Sequence, residues 1–309
     1  MNIHLPMKIP IRGFMRLRVG NDKTGVRFDT GWFENIVVNN GLDNLPVQTD
    51  CLAWFHVGTG TTLPAENGTW VNNWVASTNV IRSDQNGCTT GTPFYGWRRV
   101  TRRFAAGAAT GNLNEAAVGW SATTGTAFAH QLIKDGGGNQ ITITVKTDEW
   151  LDFSYELRYI VPIVDWMGVI PINGIDYNVI ARAASCTSTY WWSQSIGKQY
   201  VIDVGLESYH RAYSGTLGPI TGEPTGNGGT NTGTKTGANG TYIPGNYYRD
   251  FTLSASPAEW NVGGIRSLVL SCKGNRWQYE FAKVSDGTTI PKTSGTTMSI
   301  TYRVSWMRA

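Results

Sequence analysis

Four arginines fall within six positions of the segment WRRVTRRF, Trp97 to Phe104, and guanidinium groups at that density can hold carboxylates, nucleic acid or a neighbouring chain. On a strand, Arg98 and Arg102 share one face with Val100, while Arg99 and Arg103 share the other with Thr101. Charge on both faces is incompatible with burial on either side unless carboxylates meet it, so a seam between subunits or domains is expected here. Nucleic acid is the disfavoured rival, because the net charge is only +4 and no second basic stripe exists. A short way on, NLNEAAVGWS places a lone acid, Glu115, at the head of an apolar segment. Its simplest role is an ion pair with Arg98, Arg99, Arg102 or Arg103, and the alternative is a contact with another subunit.

Other residue types point to weaker chemistry. Asp148, Glu149, Asp152, Asp165, Asp203 and Glu207 could supply a glycosidase pair, and the Trp191-Trp192 pair could stack on sugar rings. The acids form no recognisable constellation, and tryptophans in alternating strands are usually core or interface residues, so no enzyme is expected. His4, His56, His130 and His210 are dispersed along the chain, and His210 reads as a solvated strand-edge imidazole, so no metal is expected. GTGTT in VGTGTTLP lacks the lysine of a phosphate cradle, so its glycines read as turn residues, and no cofactor is expected. Cys51, Cys88, Cys186 and Cys272 show no CxxC spacing and are expected as free thiols.

The elements that must position these groups are strands. With 40% apolar and 16% charged residues, 37 Gly, 13 Trp and 13 Tyr in 309 residues, the composition favours strands and turns over amphipathic helices. LDFSYELRYI (Leu151 to Ile160) and MSITYRVSWM (Met298 to Met307) alternate in the same phase. Phe128-Ala129 with Phe281-Ala282, AAVGWS with RSLVLS, and Val100-Thr101 with Phe251-Thr252 continue the match upstream at an offset of about 150 residues. The reading is all-β, with two jelly-roll-like β-sandwich domains from a divergent internal duplication, residues 1–162 and 163–309. A Gly/Thr-rich extended loop, Thr221 to Gly245, cannot bury its own core, so a neighbouring chain is expected to hold it. The same is expected of residues 1 to about 20, which Pro6 and Pro10 break into an arm with no secretory h-region. Tyr159 to Ile172, the most apolar run, contains Pro162, Asp165 and Pro171 and is too short to span a bilayer.

NIVVNNGLD (Asn35 to Asp43), VGTGTTLP, RRVTRRF, NLNEAAVGW and FAHQLIKDGGGNQITITVKTDEWLDFSYELRYIVP, taken in that order, carry a resemblance covering roughly residues 32 to 162. In this pattern the chain resembles virion structural proteins of tailed bacteriophages, of the tail, baseplate or fibre-attachment type. The resemblance implies a homo-oligomer that joins parts of the tail, with copies of itself and other virion tail proteins as partners. It implies synthesis in the host cytoplasm and residence in the virion. The alternative is a tail protein that binds a host-surface glycan or degrades capsule. The chain departs from the pattern in its second half, where no acid stands at the place matching Glu115.

Overall fold

Leu5, Met7, Ile9, Ile11, Gly13, Met15, Leu17 and Val19 are all buried, while the even-numbered residues between them face outward, so the N-terminal segment is one long strand. The computed structural model describes residues 4–193, 196–198, 210–228, 238–272 and 274–309. The first half contains β1 (His4–Asn21), β2 (Gly25–Asp29), β3 (Phe33–Glu34), β4 (Ile36–Val37), α1 (Asn39–Asn44), β5 (Trp54–Gly58) and β6 (Trp74–Thr78). It continues with β7 (Ile81–Cys88), β8 (Tyr95–Phe104), β9 (Gly111–Leu113), β10 (Glu115–Gly119), β11 (Ala127–Leu132), β12 (Ile143–Val145) and β13 (Trp150–Ile160). The second half contains β14 (Trp166–Ile172), β15 (Ile175–Ala183), α2 (Thr189–Trp192), β16 (Arg211–Tyr213) and β17 (Ala238–Asn239). It closes with β18 (Tyr248–Ala255), β19 (Ser267–Cys272), β20 (Asn275–Lys283) and β21 (Met298–Arg308).

Among the described residues, the largest sheet runs β17-β18-β21-β1-β13-β8-β7, with β2 and β3 also on β1. Its first-half strands face the sheet β4-β11-β10-β5-β6, where Phe55 meets Phe153 edge-on at 4.8 Å and Phe128 approaches Tyr155. Its second-half strands face β14-β15-β20-β19-β16, where Tyr302 Oη donates to Ser271 O at 3.2 Å. The fold is therefore all-β, and two sandwiches share one sheet. The boundary expected near Pro162 falls between β13 and β14, but the sheet crosses it.

The N-terminal segment is no arm. Residues 4–11 pair in parallel with Thr301–Arg308 of β21, and residues 11–20 pair antiparallel with Tyr159–Trp150 of β13. Pro6 and Pro10 fit because the even-numbered residues turn their backbone groups away from β21. Pro6 O accepts a hydrogen bond from Tyr279 Oη on that side, where no ladder partner needs the missing N–H.

The two half-sheets repeat their register. Val100 and Thr101 stand opposite Tyr155 and Ser154, and Phe251 and Thr252 stand opposite Tyr302 and Thr301. The hydroxyls of Thr101 and Ser154 lie 2.8 Å apart, and those of Thr252 and Thr301 lie 3.0 Å apart. The facing sheets agree less well. Val118 stands opposite Ala129, but Leu268, its match in the sequence, stands opposite Tyr279 rather than Ala282. The pairing of Phe128-Ala129 with Phe281-Ala282 is thus shifted along β20.

Because β1 is central to the shared sheet, Met7→Ala is expected to lower the unfolding free energy by about 2–5 kcal/mol, read from urea denaturation. A detachable arm would leave the midpoint unmoved.

Candidate interaction surface

Strand β8 carries the arginine run with charge on both faces, as its alternation requires, but intrachain partners meet every one. On the inner face, Arg98 is buried between two carboxylates, Asp50 from the loop before β5 and Asp84 from β7. Its Nη1 and Nη2 donate to Asp50 Oδ1 and Oδ2 at 2.8 Å each, while Nε and Nη2 reach Asp84 at 2.9 and 2.8 Å. Burial works against the charge, but the bonds to Asp50 and Asp84 outweigh it and hold the guanidinium above its ordinary pKa. Nη1 also donates to Ile196 O at 3.3 Å, so Arg98 lies on a seam between the two halves of the chain. Arg102, also buried, donates to the carbonyls of Leu52 and Asn79 and lies 5.5 Å from the Phe55 ring centre. On the outer face the partners are cross-strand neighbours on β13. Arg99 holds Glu156 at 2.8 and 2.5 Å, and Arg103 holds Asp152 at 2.6 and 2.8 Å.

Glu115 pairs with none of these arginines. It is fully buried at the head of β10 on the face of its sheet turned away from the main core. Gly60 N–H and Asn73 N–H donate to Oε1 at 2.9 and 2.7 Å, and Asn72 N–H and His130 Nε2–H donate to Oε2 at 2.9 and 3.0 Å. The reason is register: β10 and β11 place His130 opposite Ala117, one diagonal step from Glu115. Burial alone would raise the carboxyl pKa, but His130 and the three amides bring it down to about 2. The acid thereby ties the loop 59–73 to the sheet.

The same register corrects the picture of scattered histidines. His56 and His130 flank Ala117 from β5 and β11 on one face, although 74 positions of sequence separate them by number alone. Among the described residues, no three His, Cys, Asp or Glu side chains converge as a metal site. His210 is buried against Tyr302, not solvated at an edge, and its Nδ1 accepts from Ser271 N–H at 3.4 Å. Trp192 is no sugar platform, being fully buried with its indole N–H donated to Ala184 O at 2.9 Å. Three of the candidate acids are held by arginines: Glu149 by Arg27, Asp152 by Arg103 and Asp165 by Arg182. Asp203, Glu207 and the Trp191 side chain lie outside the described residues. None of the four cysteines forms a disulfide.

Of the Gly/Thr-rich loop, residues 229–237 lie outside the described residues, and its two ends are held by the chain itself. Tyr242 Oη and Gly245 N–H both donate to Asp43, and Glu223 accepts from Tyr213 Oη and Arg276. A neighbouring chain is not required to order those ends.

The surface left without a partner is elsewhere. Strand β14 borders its sheet, and Asn173 and Gly174, both at positive φ, turn it tightly into β15. Asp176 O accepts from Val284 N–H, so Pro171 opposite it belongs to a pair not bonded across the hairpin. Met167 and Val169, in phase with Pro171, therefore direct their backbone groups to the open edge. Ile163, Val164, Trp166, Met167, Val169 and Ile175 are all exposed, Val164 by 81% and Met167 by 69%. Sequence reading saw this run as apolar but not as exposed; the Asn173-Gly174 turn flanked by apolar residues is the signal that marks it.

Comparison with protein-family models, curated proteins and solved structures finds no match.

Glu115→Gln places an NH2 group against N–H donors and is expected to cost about 2–4 kcal/mol at neutral pH. The folded-state pKa is depressed, so the ionised acid stabilises the fold above the unfolded value near 4.5, and that stabilisation is lost as pH falls toward about 2. Urea titrations across this window should show wild type and variant converging at the acid end. A constant gap would mean that Glu115 stays protonated in the fold.

Proposed function

We propose that the chain is a structural component of a tailed-phage virion, forming a symmetric oligomer and connecting parts of the tail. The observation that carries this reading is the apolar ribbon on the open edge at β14. Its six large apolar side chains are each exposed by more than a third, a concentration of the kind that marks an interaction site. A long apolar edge strand left bare is an aggregation hazard, which native proteins avoid by charge or cover. Here Pro171 removes one donor from the edge and no charged side chain from Trp166 to Ile172 blocks it. The occupant is a second copy of this chain. Antiparallel pairing of two β14 strands uses the same Met167 and Val169 amides on both sides and leaves the self-complementary patch buried.

The use of the polar groups supports the same reading. The arginines, Glu115, Asp152 and Glu156 are spent on intrachain bonds, which fix a rigid scaffold rather than leave reactive groups in a cleft. The resemblance in residues 32 to 162 supplies the virion setting, and antibody labelling of purified particles tests it directly.

Met167→Asp combined with Val169→Lys is expected to leave the fold intact and convert the oligomer to monomer in light scattering. A wild-type protein that is monomeric at all accessible concentrations would remove the self-association reading.

A further inference from the structure

We propose that a cleft on the outer face of the first sandwich binds an uncharged saccharide, with the indoles of Trp70 and Trp74 as stacking faces and Asn72 and Thr124 as hydroxyl partners. The cleft holds about 430 Å3 and is lined by Trp70, Val71, Asn72, Trp74, Ala122 and Thr124. That volume lies in the range of small-molecule sites. It sits between the loop 59–73, which Glu115 fixes, and the turn that joins β10 to β11. Val71, Ala117 and Ala127 form a small apolar cluster beneath it, separate from the main core.

Trp74 is 56% exposed, yet it is not loose. Its Nε1–H donates to Ser77 Oγ at 2.8 Å, and Ser77 Oγ lies 2.7 Å from His56 Nδ1. The His56 ring in turn packs against Trp70 with centroids 4.2 Å apart. One buried imidazole thus supports both indoles. Burial pushes the His56 pKa down to about 3, so this support carries no charge at neutral pH. An exposed indole gains nothing for folding from being held so rigidly, whereas a ligand that stacks on it gains from preorganisation.

The ligand class follows from what the walls contain and lack. No Asp, Glu, Lys or Arg occurs from Asn67 to Ile81 or from Ala116 to Ile133. Of the acids on the elements that frame the cleft, Glu115 is buried and already accepts from three amides and an imidazole, while Glu66 is held by Arg308 and does not line the cleft. An anion would find no cation here, and a cation would find indole faces but no exposed carboxylate. Asn72 Nδ2 is donated to Glu115 Oε2 at 3.3 Å, which orients the amide and leaves its oxygen as an acceptor. Thr124 offers an exposed hydroxyl on the facing wall. Flat apolar C–H faces edged with neutral hydroxyls are the chemistry of a pyranose ring, and they complement two indoles edged with an amide and a hydroxyl. This inference does not depend on the virion role or on the β14 edge.

The test is titration of the intact protein with uncharged oligomers of glucose, galactose, mannose and N-acetylglucosamine, followed by indole fluorescence and calorimetry, with sialylated and sulfated oligomers alongside. Binding of at least one uncharged oligomer is expected, weakened about tenfold or more in Trp74→Ala. Ala122→Trp, which fills the cleft from an exposed position, is expected to abolish binding with an unchanged circular dichroism spectrum. No binding by any uncharged oligomer, a preference for the charged ones, or binding indifferent to both substitutions would overturn the proposal.

Discussion

Strand β1 exchanges partners halfway along its length, and both sandwiches depend on that exchange. Up to Ile11 it lies in parallel beside β21; from Ile11 onward it lies antiparallel to β13, while β3 and β2 take over the edge that β21 vacates. Gly13 stands at the crossing. A Cβ there would come within 2.1 Å of Tyr155 Oη and 2.6 Å of Asn35 Oδ1, the two groups that bond across the first sandwich at 3.3 Å. The crossing therefore needs a residue without a side chain on its inner face, and the hydroxyl of Tyr155 occupies the space so left. Since the odd positions on either side of Gly13 are buried in different sandwiches, neither core closes without the same strand.

Placing four arginines on β8, the strand beyond β13 from β1, raises a second constraint, which the two faces of the sheet meet differently. On the outer face, Arg99 and Arg103 lie over Trp97 and Trp150 while holding β13 carboxylates, and partial exposure keeps each such pair to about 1 kcal/mol or less. On the inner face the charge is removed from water, and Asp50 from the loop before β5 and Asp84 from the neighbouring strand β7 meet Arg98. Losing one partner of such a pair costs about 3–5 kcal/mol, so the inner arginine specifies where the Asp50 loop lies against β7 and β8 more than it adds to net stability. The same guanidinium donates to the carbonyl of Ile196.

What was legible in the sequence was periodic. The alternation of LDFSYELRYI and MSITYRVSWM gives two strands whose tyrosines, Tyr155 and Tyr302, stand opposite matching residues. Alternation also makes the doubly charged β8 visible in advance. Three features were not legible, because each depends on contacts between residues far apart in the chain. Glu115 has arginines close by in sequence, yet its donors come from Gly60, Asn72 and Asn73 across the sheet. Pro6 and Pro10 look like strand breakers until the open side of β1 is known. The run at β14 has the composition of a core segment, and only its place at the end of the sheet exposes it.

That last difference separates the two sandwiches at their edges. Their facing sheets share an order, β4-β11-β10-β5 against β15-β20-β19-β16, but they treat their edges in opposite ways. In the first, the edge strand β4 is two residues long, and α1 follows it at once to pack beside β11, as Val38 N–H and the close approach of Gly41 to Phe128 O show. A short, covered edge cannot recruit another strand. In the second, the equivalent strand β15 is extended by a hairpin, so the border moves out to β14, which has seven residues, apolar side chains and no cover among the described residues. The closed edge of the first sandwich leaves its outer face, with the neutral cleft at Trp70 and Trp74, as the surface free for a small ligand. The open edge of the second leaves a strand whose outward backbone groups are free to pair with another strand. The proposed self-association edge and the proposed saccharide cleft thus lie on different halves of the chain, joined through β1, so that occupation of one need not obstruct the other.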